Sequence, residues 1–437
     1  MHPSLFAVSV PVVLLIAAVA SGADDLPRQA ALGVRFAPAD AEGGGLVVAE
    51  VFPGTAASLG ILPGDRILAL NGRSAAEFTA VLASLRAGDP IVVTVRRDGK
   101  EITVEGPALE RARESVTGYE TVYGSVSLTG GKRLRTILTR PPGDGPFPAL
   151  LFVQGLGPGI MDFGPRMDHP YRRIVDAVTR EGFVTLRVEK PGVGDSEGGP
   201  PEDVGFAEET AGFTAALRWL ARQEFVDRAN LFLFGHSMGG LMAPLIGREV
   251  PYRGAIVYGT SGLTWAEYEL ENERRQAVLG GQDFAEIDAA LRKKTALFRD
   301  LYFSDATIEE VLERHPDSAG AFARGLQYGV KRPGFFREIA NTNLAAAWKD
   351  FSGEVLVLWG EADFVSGPRD HEVIADIVNR ARPGRAEYRP LPGMDHGFAR
   401  AASLAESYRN LREGVRAPMN EEILGVLRNW LSSKRAR

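Results

Sequence analysis

The sequence predicts an α/β protein: a mostly parallel, doubly wound sheet with a helical cap, preceded by a small β-sandwich or barrel-like domain. Three observations carry that expectation. From about residue 118, short apolar runs of strand length alternate with amphipathic stretches of helical period, as a parallel sheet covered on both faces requires. Within this alternation the apolar run 231–234 leads into Gly235-His236-Ser237-Met238-Gly239, a glycine-flanked serine between a strand and a helix. Ahead of it, residues 30–107 carry short strands, a brief helix and Gly- or Asn-Gly-marked turns.

The length of 437 residues suffices for two or three domains with sizeable cores. A hydrophobic share of 45% and a charged share of 24% are those of an ordinary globular protein. The net charge of −6, with no basic block to offset it, weighs against nucleic acid as a partner. There is no cysteine, which excludes disulfides, thiolate metal sites, a cysteine nucleophile and a lipidated N-terminal cysteine together. Residues 5–19 are almost wholly apolar, and Ala18-Val19-Ala20 and Ser21-Gly22-Ala23 both suit signal cleavage. We therefore expect a signal peptide over 1–23 and a periplasmic or secreted protein with no stable membrane anchor after cleavage. Because Met1-His2-Pro3-Ser4 carries no Lys or Arg, an uncleaved anchor stays the alternative. No later stretch approaches the ~18 apolar residues of a spanning helix.

In the first domain, 31–36 reads as a strand, 42–45 as a glycine-rich turn and 46–52 as a second strand. Pro53-Gly54-Thr55-Ala56-Ala57 starts a short helix. Residues 60–72 give turn, strand and Asn-Gly turn; 75–85 have helical period; 91–97 and 101–104 close a hairpin. This order, with "VFPGTAASLGILPGDRILALNG" at its centre, closely resembles a PDZ domain of the bacterial protease-associated type over 30–107. The resemblance implies an extended peptide C-terminus bound by strand addition, its carboxylate at the Leu32-Gly33-Val34 loop, beside a groove helix over 77–85. A fold that only packs on its neighbour is the bland alternative. Residues 108–117 read as a short charged linker.

In the second domain, 119–128 and 134–139 form an antiparallel pair around Gly130-Gly131. A Pro-rich turn leads to the buried strand 149–153, which leaves into the loop Gln154-Gly155-Leu156-Gly157-Pro158-Gly159. Helix 171–181, strand 183–188, helix 206–223, the serine turn and strand 254–258 follow. Residues 262–347 break the alternation with charged and aromatic helical stretches and read as a cap. Strand, helix and strand resume over 354–359, 370–379 and 386–391, and a final helix ends the chain.

A serine hydroxyl is a poor nucleophile at neutral pH and needs a base, and the base needs a carboxylate to hold its tautomer. Partners should follow strand ends. Asp363 follows the strand ending at Trp359, and His396 lies in the loop after the strand ending at Leu391. The order Ser, Asp, His, together with "GHSMGG", "EKPGVGDSEG" and "LVLWGEAD", resembles the α/β-hydrolase superfamily from about 118 to 437, in particular bacterial esterases and serine-aminopeptidase-like members. What the resemblance implies is Ser237 as nucleophile, Asp363 as orienting acid and His396 as general base. The Met238 N–H and, from the loop after the third strand, the Leu156 N–H are the expected oxyanion donors. The family's usual His-Gly stands here as Gln154-Gly155, which leaves the backbone donor but removes a histidine contact.

Of the other histidines, His236 reads as packing beside the turn, His371 as helical, His315 as part of the cap and His169 as a helix start; His2 is in the leader. Turn chemistry explains Asp395. No paired-His spacing suggests a metal, and no cofactor is needed. Arg166, Asp168, Trp265, Tyr268, Tyr302 and Phe303 are pocket candidates, with cap core or surface as the plainer role. The expected activity is hydrolysis of a small-molecule carboxylic ester through an acyl-enzyme. The alternatives are a serine peptidase or aminopeptidase-like enzyme fed peptides by the first domain, and an envelope interaction protein tethered by that domain.

Overall fold

The computed structural model describes residues 26–37 and 44–436; the apolar leader and part of the glycine-rich turn lie outside the described residues. Among the described residues no helix is long and apolar enough to cross a membrane.

The first sheet is antiparallel. It comprises β1 (Val34–Phe36), β2 (Leu46–Val51), β3 (Arg66–Leu70), β4 (Arg73–Ser74), β5 (Pro90–Arg97) and β6 (Lys100–Pro107), in the order β1-β2-β3-β5-β6 with β4 on β3. Asp98-Gly99 closes the β5–β6 hairpin with both residues at positive φ, as a tight two-residue hairpin turn demands. Alternate residues of β5, Ile91, Val93 and Val95, point into a core shared with Leu32, Val48 and Phe78. The helix Phe78–Ser84 lies over that sheet, its Phe78 ring meeting Phe36 of β1 edge-on at 5.2 Å.

The second sheet has eight strands: β7 (Glu120–Ser127), β8 (Arg133–Arg140), β9 (Phe147–Val153), β10 (Val184–Val188), β11 (Val226–His236), β12 (Gly254–Tyr258), β13 (Glu354–Gly360) and β14 (Ala386–Leu391). Their order is β14-β13-β12-β11-β9-β10-β8-β7. β7 and β8 pair antiparallel at one edge, and β9 to β14 run parallel. The central strands are apolar on both faces because both are covered. Leu150 and Phe152 join the helices Pro170–Arg180 and Glu422–Lys434, while Leu151 and Val153 join Phe206–Leu220 and Met238–Glu249.

The segment between β12 and β13 is helical, with Trp265–Leu279 and Phe284–Tyr302 opening it. Thr264 caps the first through a reciprocal pair with Glu267. Trp265, Phe298, Leu301 and Phe336 share one buried cluster with the sheet's face, so the cap is continuous with the core. The chain ends in two helices, Leu404–Glu413 and Glu422–Lys434, where one was expected; Gly414, at φ 67°, terminates the first.

Candidate active site

β11 ends at His236, and Ser237 stands between it and the helix Met238–Glu249 with φ 54° and ψ −120°. This backbone is strained for a side-chain-bearing residue, and the surroundings hold it. The Ser237 N–H donates to the Tyr258 carbonyl at 2.8 Å, and the Gly240 N–H donates to the Ser237 carbonyl at 2.9 Å. The turn needs its glycines. A Cβ on Gly235 would lie 2.6 Å from the Gly239 carbonyl oxygen, and one on Gly239 would lie 2.2 Å from that of Val153.

His396 Nε2 lies 3.1 Å from Ser237 Oγ, and His396 Nδ1 lies 2.9 Å from Asp363 Oδ2. Asp363 is fully buried after β13. The Ser366 hydroxyl donates to its Oδ2, while the Val365 and Ser366 N–H groups donate to its Oδ1. Burial favours the neutral acid, but His396 and these donors overcome it and hold Asp363 down to about 2. His396 feels the same opposition. Burial disfavours its cation, while Asp363 raises its pKa above the ordinary 6.5. Protonation of the imidazole is thus stabilised at the nitrogen-bearing ring that faces the serine.

Tyr171, which the sequence does not single out, and His236, read there as packing beside the turn, brace this line. Tyr171 is half-buried beside the site, its hydroxyl 2.5 Å from His236 Nδ1 and in contact with the Gly155 N–H. His236 Nε2 donates to the His396 carbonyl at 2.9 Å, which leaves Nδ1 to accept from Tyr171. Burial pushes His236 down to about 3, so it stays neutral and keeps that tautomer. His236 therefore ties the loop of His396 to the loop of residues 154–156. His371 is also buried, accepting from the Thr260 N–H and donating to the Gly367 carbonyl. A Tyr at the start of a helix carries no local signal for such a contact.

Met238 opens its helix, where the first N–H groups lack intrahelical partners and the helix dipole is positive. The Gly155 and Leu156 carbonyls accept from Lys190 Nζ at 2.6 and 3.3 Å. Above the serine lies a cavity of about 460 Å³ lined by Leu156, Met238, Leu241, Trp265, Tyr268 and Tyr328 among others, and among the described residues none that lines it is acidic. Trp265 and Tyr268 thus face the cavity. Tyr302 is buried in the cap against Glu269, Phe303 is 57% exposed, and Arg166 and Asp168 are not among the lining residues. In the first sheet, Leu32 is buried, Gly33 adopts φ 77°, and the Gly33 carbonyl accepts from the Phe52 N–H at 2.8 Å. Val34 begins β1, the edge strand whose outer side is left unpaired among the described residues.

The model of the family described as "Serine aminopeptidase, S33" matches residues 168–400, more than half of the chain, and that of the PDZ domain matches 30–106. Among curated proteins, a "Putative zinc metalloprotease" of Mesorhizobium japonicum is 35% identical over 91 residues, 20% of this chain and 25% of that protein. A "Multifunctional-autoprocessing repeats-in-toxin" of Vibrio vulnificus is 24% identical over 162 residues, 37% of this chain and 3% of that one. The chain thus spans a quarter or less of the length of these relatives. Among solved structures, an esterase of Pyrococcus furiosus aligns with 12% identity over 74% of this chain and 95% of its own, with a TM-score of 0.44. Carboxyl esterase 2 of Tuber melanosporum aligns with 17% identity over 74% and 90%, with a TM-score of 0.42.

Proposed function

Because the chain belongs to the serine aminopeptidase S33 family, with an α/β-hydrolase fold behind a PDZ domain, we propose that it hydrolyses carboxylic esters through an acyl-enzyme on Ser237. The observation that carries the reading is the unbroken line from Ser237 Oγ through His396 to the buried Asp363. His396 Nε2 takes the Ser237 proton as Oγ attacks the ester carbonyl, and the resulting imidazolium is stabilised by Asp363. The Leu156 and Met238 N–H groups hold the oxyanion. His396 then protonates the departing alcohol. Water enters by the same path in reverse and releases the acid.

The cavity favours an ester over a peptide N-terminus. A free amine calls for a carboxylate partner in a desolvated pocket, and no described lining residue supplies one. The PDZ domain supports a second role, capture of a peptide C-terminus at Leu32-Gly33-Val34 along the open edge of β1. The leader, which lies outside the described residues, supports placement outside the cytoplasm. Turnover of short p-nitrophenyl esters by the wild type and by Ser237→Ala tests the assignment. A loss of at least 10³-fold is expected, and turnover undiminished by the substitution overturns it.

A further inference from the structure

Lys190 is 2% exposed and stands two residues past the end of β10, in the turn Lys190-Pro191-Gly192. Its ammonium reaches 2.6 Å from the Gly155 carbonyl and 3.3 Å from that of Leu156. Glu209 Oε2, from the helix Phe206–Leu220, lies 2.9 Å away and supplies the counter-charge. The other oxygen of Glu209 pairs at 2.6 Å with Lys331 of the cap, whose ammonium also donates to the Val204 carbonyl. Lys190, Glu209 and Lys331 are all nearly inaccessible, so ordering and desolvating three charges here is costly. The described contacts of the ester reading leave that cost without a purpose.

We propose that Lys190 is a positioning residue that aims the Leu156 N–H into the oxyanion site. The inference rests on the reading of Leu156 as an oxyanion donor. Its physical basis is the planar trans peptide, in which the carbonyl of one residue and the N–H of the next point in opposite directions from the same rigid unit. The Gly155 carbonyl and the Leu156 N–H belong to one such unit. A cation gripping the carbonyl therefore fixes the direction of the N–H and, by polarising the amide, strengthens it as a donor. The unit sits against the nucleophile: a Cβ placed on Gly155 would lie 3.2 Å from Ser237 Cβ. Residues 154–159 include three glycines, so the loop has little intrinsic stiffness of its own. Lys190 supplies from outside the loop what its sequence does not.

The test compares Lys190→Met and Lys331→Met with the wild type on p-nitrophenyl butyrate, together with inhibition by a trifluoromethyl ketone, whose hydrate-like adduct carries the oxyanion. Lys190→Met is expected to lower kcat about 10²-fold, with KM changed less than about threefold, and to weaken the ketone by a similar factor. Lys331→Met removes the outer arm of the same buried cluster and is expected to keep kcat within about threefold. If Lys190→Met does not fold, as judged by its melting curve, Lys190→Gln replaces it with the same expectation. Retention of kcat and ketone affinity without Lys190, or equal losses in both lysine variants, overturns the proposal. Ser237→Ala runs in parallel: full turnover there overturns the ester reading itself, whereas its silence beside an unaffected Lys190→Met overturns only this inference.

Discussion

Ser237 holds a left-handed backbone between β11 and the helix that follows, and the neighbours that enforce it are backbone atoms with no room to yield. Gly239→Ala is therefore expected to destabilise the protein by about 1–3 kcal/mol, the range for overpacking a tight core, read as a lower denaturant midpoint. Asp363→Asn keeps the shape of its pocket but removes the charge that favours the imidazolium and fixes the tautomer. Esterase kcat is expected to fall about 10⁴-fold, and a loss under tenfold would remove Asp363 from the role of orienting acid. The raised pKa of His396 has a kinetic sign. Acylation needs the neutral imidazole, so kcat/KM is expected to rise with pH through a midpoint above the ordinary 6.5. A midpoint below that value in the wild type would contradict the coupling to Asp363.

At the scale of elements, the sequence was readable where side-chain period and turn chemistry are local. β12 and β14 fall on the expected residues, and the Gly-Ser-Gly turn, the loop after β13 and the loop after β14 follow strand ends as parallel topology requires. What was not readable rests on pairs far apart in the chain. Tyr171 meets His236, Lys190 meets Gly155, and Glu114, in the segment read as a charged linker, is buried against Arg187 and Arg172. No local pattern separates such a buried charge from a solvated one. The cap holds another. Glu269, on Trp265–Leu279, accepts from Tyr302, Gln327 and Tyr328, and Tyr328 lines the cavity. Burial outweighs these donors and pushes Glu269 up to about 7. The folded state then holds a proton that the unfolded chain has released between about 4.5 and 7, so this group's contribution to stability falls as pH rises through that window. Glu269→Gln is expected to flatten the decline in melting temperature between pH 5 and 7.5, and an unchanged slope would contradict the shift.

For the molecule as a whole, the first sheet is joined to the second through buried charge as well as chain. Arg28, just ahead of the first sheet, donates to Asp162 at 2.8 Å and Asp195 at 2.7 Å, and the Gln29 N–H donates to Asp195. Asp195 also accepts from Arg135, whose guanidinium reaches the Leu26 carbonyl. The segment leading into Leu32-Gly33-Val34 is thus clamped to the turn that carries Lys190. Burial disfavours the Arg28 cation, but the two carboxylates outweigh it and keep it charged. Arg28→Met leaves those carboxylates short of a partner and is expected to cost about 3–5 kcal/mol, seen as a lower urea midpoint; an unchanged midpoint would show that the Arg28 ion pairs do not contribute to the coupling of the two sheets.

The acyl-enzyme is the claim on which the rest depends, and intact-protein mass spectrometry after brief mixing with p-nitrophenyl butyrate, followed by peptide mapping, tests it most directly. A butyryl adduct on the peptide containing Ser237, absent from Ser237→Ala, is the predicted result. Ester turnover with no adduct there, or with the adduct on another residue, would contradict it.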